Sequence, residues 1–162
     1  MRKLAIAIDG PAGAGKSSVA KILAANMGYA YLDTGAMYRA VTYEVLRREL
    51  TEEKDIVALA AGMDMTVKPE TDAMHVIVNG HDVTDHIRTP EVSARVSAVS
   101  ALAGVRAAMV EIQRRQAAKG GIVLDGRDIG TTVLPHADVK IFLTASAVSY
   151  THLRAHETVL DL

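Results

Sequence analysis

The sequence predicts an α/β fold in which a parallel sheet core is flanked on both faces by helices, and three observations predict it. An apolar run at residues 4–8 stands directly before a glycine-rich loop and a helical pattern. Further short apolar runs at residues 29–32, 122–124 and 139–143 alternate with amphipathic helical stretches. Between Met63 and Arg88 short strand-like segments replace the helices and flank Asn79-Gly80, a tight hairpin turn, so a small antiparallel insertion is expected there.

Each element has its own signal. The first helix is expected from about Lys16 to Met27, with Val19, Ile22, Leu23 and Met27 recurring at helical spacing and Gly28 ending it. After the strand at 29–32, Thr34 is the expected cap of a second helix carrying Met37, Tyr38, Val41, Val45 and Leu46. Thr51 precedes a third helical stretch at 52–61, but Lys54 three residues on is not the acidic partner of a capping box. Short strands are expected at 65–67, 75–78 and 81–83. Helical pattern returns from Pro90, with a break near Gly104 and an end at Gly120-Gly121.

Composition narrows the function classes. At 162 residues the chain fits one domain that buries a sizeable core without disulfides or a structural metal. A net charge of −1 provides no global basic field, which argues against extended nucleic acid or an anionic membrane as partner. With one Phe, five Tyr and no Trp, base-stacking platforms for single strands are not expected. The absence of cysteine excludes disulfides and thiolate metal sites and is compatible with a reducing compartment. No secretory signal and no stretch approaching a membrane span is visible, so a cytoplasmic location is expected.

The chemistry concentrates at Gly10-Pro11-Ala12-Gly13-Ala14-Gly15-Lys16-Ser17-Ser18. Gly, four residues, Gly, Lys and Ser is the spacing of a phosphate-cradling P-loop, here with strand before and helix after. Glycines let the backbone N–H groups approach phosphate oxygens that a β-carbon would obstruct. Lys16 would reach the β- and γ-phosphates, Ser17 would place its hydroxyl on Mg²⁺, and the helix start adds partial positive charge. A nucleoside triphosphate and Mg²⁺ are therefore expected at this loop. Asp125 ends the apolar strand at 122–124, a position suited to Mg²⁺ or its water shell, and equally to a helix cap or turn. Asp9 is open between a partner for the metal or Lys16 and a turn residue. Asp125-Gly126-Arg127-Asp128 sets a guanidinium between two carboxylates at a strand end, for phosphate binding or for a buried Arg–Asp tie. Arg39, about one and a half turns into the second helix, suits a second phosphate group or a solvated surface.

Taken together, residues 8–17, residues 32–39 (LDTGAMYR), residues 83–88 with Pro90-Glu91-Val92, and residues 124–131 (LDGRDIGT) resemble bacterial cytidylate kinases. The likeness runs in order to about Ala147. It implies a P-loop NTPase fold at 1–147 with a nucleoside-monophosphate-binding insertion at about 34–119. It also implies transfer of the γ-phosphoryl of ATP to CMP or dCMP with Mg²⁺, and a monomeric full-length parent. By the same resemblance Thr34 and Arg39 bind the CMP phosphate, Arg127 contacts phosphates, and Asp128, Ser97 and Arg106 recognise cytosine. Lys16, Arg127 and Asp125 are the expected catalytic residues, and Ser17 and Asp125 the metal-holding ones. Cytosine offers an amine donor opposite a carbonyl and a ring-nitrogen acceptor, so a carboxylate or hydroxyl and a cation are the groups such a site needs. Another small P-loop kinase, for UMP, AMP or a non-nucleotide acceptor, is the neighbouring alternative. A non-catalytic nucleotide-binding fragment or regulatory GTPase is a different class, disfavoured by the lack of an Asn-Lys-x-Asp segment.

The likeness stops at Val148. The tail at 148–162 resembles adapter-derived translation rather than a family segment, and its His152 and His156 do not complete zinc-protease spacing. The family's lid, with its further arginines, and its last core strand and helix are not recognisable there. Expressed as written, the chain is expected to be poorly soluble and nearly inactive, because an open site and an unpaired strand edge follow from that loss. A soluble monomer with ordinary CMP kinase turnover would contradict this.

Overall fold

In a computed structural model, residues 2–69 and 74–145 are described. The tail at 148–162, with its histidine pair, lies outside the described residues. In chain order the elements are β1 (Ala5–Asp9), α1 (Lys16–Met27), β2 (Ala30–Asp33), α2 (Thr34–Arg47), α3 (Glu53–Gly62), β3 (Met65–Pro69), β4 (Met74–Val78), β5 (His81–Asp82), α4 (Pro90–Ser100), α5 (Ala103–Ala117), β6 (Ile122–Gly126) and β7 (Val139–Phe142). A 3₁₀ turn at Thr84–His86 and one turn of π-helix at Ile129–Val133 complete the list. Two units emerge, Met1–Tyr31 with Lys119–Leu162, and Leu32–Ala118.

The first unit is organised by a sheet of order β2-β6-β1-β7. β1 lies parallel to β6, with Ile8 opposite Asp125, and parallel to β7, with Ile8 opposite Ile141. Ile6, Ala7 and Ile8 are buried, as are Val123 and Leu124. Central strands covered on both faces have no solvent side to alternate toward, which is why these segments read as continuous apolar runs. Among the described residues β2 and β7 are the two outer strands, and Phe142 of β7 is 69% exposed.

The expected bounds of α1 hold, but its expected face does not. Ala20 and Ala24 are its buried residues, while Val19, Ile22 and Met27 are exposed. Alanines one turn apart let a helix lie close to a sheet, so the contact stripe is set by small side chains rather than by the bulkiest ones. Gly28 does end the helix, in the left-handed region at φ 63°, and Tyr29 N–H closes back on the Ala24 carbonyl at 2.8 Å.

In the second unit, the cap of α2 is Asp33, whose Oδ1 accepts from Ala36 N–H at 3.1 Å; Thr34 is the first helical residue instead. A carboxylate reaches the third N–H of the helix and also matches its positive end, an advantage a hydroxyl lacks. α3 starts from Glu52 without a side-chain cap, so Thr51 does not serve as one. The break between α4 and α5 falls at Ala101 and Leu102, not at Gly104, which lies inside α5. A Cβ on Gly104 would stand 2.5 Å from Val57 Cγ1 on α3, so this glycine permits close helix packing rather than a turn. α4 and α5 meet at 98°, and among the described residues no single helix is long and apolar enough to cross a membrane.

The insertion contains a three-stranded antiparallel sheet of order β3-β4-β5. Asn79 and Gly80 take φ of 49° and 83°, the mirror-image turn that the dipeptide predicts. Val83 falls outside β5, since the chain turns at once into the 3₁₀ segment. That turn is held by Asp82. Its Oδ1 accepts from Thr84 N–H at 2.9 Å and from the Thr84 hydroxyl, while its Oδ2 lies 2.6 Å from His75 Nδ1.

These bonds, the Thr84 hydroxyl first and His75 next, lower the Asp82 carboxyl to about 2. A lowered carboxylate contributes stability that is complete above the unfolded value of about 3.9 and is lost as pH falls through the folded one. Asp82→Asn should therefore melt below the parent chain at pH 6, with the gap closing as pH drops from about 4 to about 2. Thermal unfolding followed by circular dichroism across that range checks it.

Candidate active site

In the first unit the end of β1, the loop and the start of α1 form one anion-directed surface. Gly10 has φ 153°, and a Cβ there would meet the Leu143 carbonyl oxygen at 2.2 Å, so only glycine fits between β1 and the end of β7. Gly13 and Gly15 also take positive φ. α1 has no side-chain cap at Gly15 and no acidic residue in its first turn, so its leading N–H groups face no carboxylate of their own. Lys16 Nζ folds back to donate to the Pro11 carbonyl at 3.1 Å.

The two expected metal-holding residues are brought together. Ser17 Oγ donates to Asp125 Oδ2 at 2.9 Å, and the Tyr31 hydroxyl donates to Asp125 Oδ1 at 3.0 Å. Asp125 is 3% exposed and sits at the end of β6 directly beside β1. It is thus no helix cap. Among the described residues no cluster of three or more His, Cys, Asp or Glu could hold a metal, so a cation here would depend on this hydroxyl–carboxylate pair and on its ligand.

Asp9 partners neither Lys16 nor a metal-holding residue. Its two oxygens accept from Ile129 N–H and Gly130 N–H, both at 2.7 Å. These are the first two residues of the π-turn, so a carboxylate on β1 caps a helical turn that follows β6. Arg127 and Asp128 stand just ahead of that turn. Arg127 is exposed and makes no ion pair with Asp125 or Asp128, which removes the buried Arg–Asp tie as an explanation of this segment.

The second unit carries the remaining predicted residues. Thr34 is buried at the first position of α2. Arg39 is half-buried, and its Nη1 donates to the Ile87 carbonyl at 3.3 Å and to Ser93 Oγ at 2.9 Å, so it is no solvated helix residue. Arg88 Nη2 lies 3.8 Å from Asp33 Oδ2. Ser97 on α4 and Arg106 on α5 are both exposed. Sequence reasoning missed Tyr31, Ser93 and Arg88. Tyr31 carried one signal, a hydroxyl-bearing aromatic on a strand of otherwise apolar residues, while the other two depend on contacts between elements.

The family model for cytidylate kinase matches residues 6–160. The chain belongs to the cytidylate kinase family. It is 53% identical over 148 residues to a cytidylate kinase of Desulfitobacterium hafniense, covering 90% of this chain and 63% of that protein. It is 51% identical over 163 residues to one of Limosilactobacillus fermentum, covering 99% and 70%, and 51% identical over 160 residues to one of Bacillus subtilis, covering 98% and 71%. The chain therefore spans roughly two thirds of the length of these relatives, from 63% to 71%. The loop, α1 and all of β1 but Ala5 fall within the match.

Removing the Asp9 carboxylate leaves two buried N–H groups without their acceptor, each costing about 1–3 kcal/mol. Asp9→Ala should lower stability by about 3 kcal/mol in urea titration, and Asp9→Asn, which keeps one acceptor, by less.

Proposed function

We propose that this chain transfers the γ-phosphoryl group of ATP to CMP or dCMP, giving CDP or dCDP, in pyrimidine nucleotide metabolism in the cytoplasm. The observation that carries the proposal is the Ser17 hydroxyl seated on Asp125 at 2.9 Å, where a glycine loop and two parallel strands end together. Family membership supports the choice of acceptor, as the relatives bear the name cytidylate kinase.

The roles follow from charge. The residues from Gly10 to Ser18 cradle the triphosphate through backbone N–H groups, and Lys16 neutralises its terminal oxygens. Ser17 and Asp125 fit Mg²⁺, a hard cation that takes oxygen ligands and uses one or two carboxylates beside waters and substrate phosphates. Bound there, the ion would supply charge neutralisation between β- and γ-phosphate oxygens. Tyr31 fixes the other Asp125 oxygen, so the carboxylate cannot rotate away. Arg127 offers its guanidinium to phosphate, and Arg39 with Thr34 takes the acceptor's phosphate. Asp128, Ser97 and Arg106 select cytosine. Little covalent chemistry is asked of the protein: acceptor oxygen and γ-phosphorus are aligned, and charge on the equatorial oxygens is balanced.

With ATP, the low turnover expected of this chain should give product from CMP and dCMP, and about tenfold or more slowly still from UMP or AMP, since an unpaired polar group in a base site is costly. Lys16→Ala should reduce it by about 100-fold or more. A chromatographic assay of diphosphate product over this acceptor panel decides the matter. Equal use of all four acceptors would indicate a different P-loop kinase, and ATP binding with no product from any would indicate a binding module.

A further inference from the structure

We propose that Ser93 is a positioning residue for Arg39, holding its guanidinium in the orientation that receives the acceptor's phosphate. The proposal rests on the role given above to Arg39. A guanidinium has five N–H donors in a planar fork, and each terminal nitrogen carries two hydrogens. Arg39 Nη1 spends both, one on the Ile87 carbonyl at 3.3 Å and one on Ser93 Oγ at 2.9 Å. Once that nitrogen is tied down, the plane of the fork is set. The edge formed by Nε and Nη2, which makes no bond among the described residues, presents two parallel N–H groups of the kind that match a phosphate bidentately.

Both anchors are rigid. Ile87 is 1% exposed, so its carbonyl is fixed by the packing of its own side chain. Ser93 stands on the first turn of α4, whose start is locked by Thr89: the Thr89 hydroxyl accepts from Val92 N–H and the Thr89 carbonyl from Ser93 N–H. A long side chain on α2 is thereby held by a backbone group and by a hydroxyl from a different helix. The chemistry of the second anchor matters. A carboxylate at position 93 would orient Arg39 equally well but would cancel the charge a phosphate dianion needs, whereas a neutral hydroxyl orients without competing.

Affinities of the 162-residue chain for CMP and for cytidine, measured by titration calorimetry, test this with Ser93→Ala, Ser93→Thr, Ser93→Asp and Arg39→Ala. Ser93→Ala should weaken CMP about fivefold, the worth of one net hydrogen bond, and leave cytidine and ATP unchanged. Ser93→Thr should restore CMP binding to within about twofold, and Ser93→Asp should weaken it beyond the alanine variant. Unchanged or tighter CMP binding by Ser93→Ala overturns the proposal, as does an equal loss for cytidine, which would mark a merely structural role. The reading of Arg39 stands or falls separately. If Arg39→Ala weakens CMP while Ser93→Ala does not, only Ser93 is misassigned; if Arg39→Ala leaves CMP binding intact, the acceptor-phosphate role fails and Ser93 with it.

Discussion

The carboxylate of Asp9 is the constraint that ties the end of β1 to the turn after β6. It is the last residue of β1, and the two N–H groups it accepts belong to the turn that follows β6. One side chain therefore joins the end of one central strand to the segment leaving its neighbour. Gly10 begins the phosphate loop on one side of this joint, and Asp125, Arg127 and Asp128 lie on the other. A π-turn has poorer intrinsic geometry than an α-helix and persists where something outside it satisfies its first N–H groups. Asp9 supplies that satisfaction, and at 8% exposure its bonds are not diluted by water.

A second constraint is steric. The Leu143 carbonyl lies so close to Gly10 that no β-carbon fits, and Leu143 N–H also donates to the Asp9 carbonyl at 2.7 Å. β7 thus extends its pairing with β1 to the very residue where the loop begins. The loop's first glycine is needed for its neighbour in the sheet as well as for any ligand.

Much of this was legible in sequence where local chemistry decides the outcome. The buried runs of β1 and β6, the Asn79-Gly80 turn and the glycine end of α1 were readable because solvent exclusion and positive φ leave few residue choices. What escaped depends on partners far along the chain. Asp9 could not be assigned, since its acceptors' partners are 120 and 121 residues away. The face of α1 was misread because hydrophobic periodicity counts bulk, whereas Ala20 and Ala24 are chosen by how closely the helix approaches the sheet. Gly104 was read as a breaker because its meaning lies in Val57 of another helix. At the site, Ser17 was marked by motif spacing and Asp125 only by its place at the end of an apolar strand, with a cap or turn left open, while Tyr31 and Ser93 required the fold to bring their hydroxyls to a carboxylate and a guanidinium.

Several ions of the two units rest on neutral groups. Asp9 is satisfied by two backbone N–H groups, and two hydroxyls donate to Asp125. Lys16 rests on the Pro11 carbonyl, and Arg39 on the Ile87 carbonyl and the Ser93 hydroxyl, all neutral acceptors. The sequence spacing at Asp125-Gly126-Arg127-Asp128 invited the opposite arrangement, a guanidinium locked between two carboxylates. A phosphate would have to displace such a pairing. Arg127 instead is exposed. Hydrogen bonds to neutral groups orient an ion while leaving its charge largely uncancelled. A site proposed to gather several negative phosphates would gain by parking its cations on neutral acceptors. Positive charge would then remain available to such a ligand.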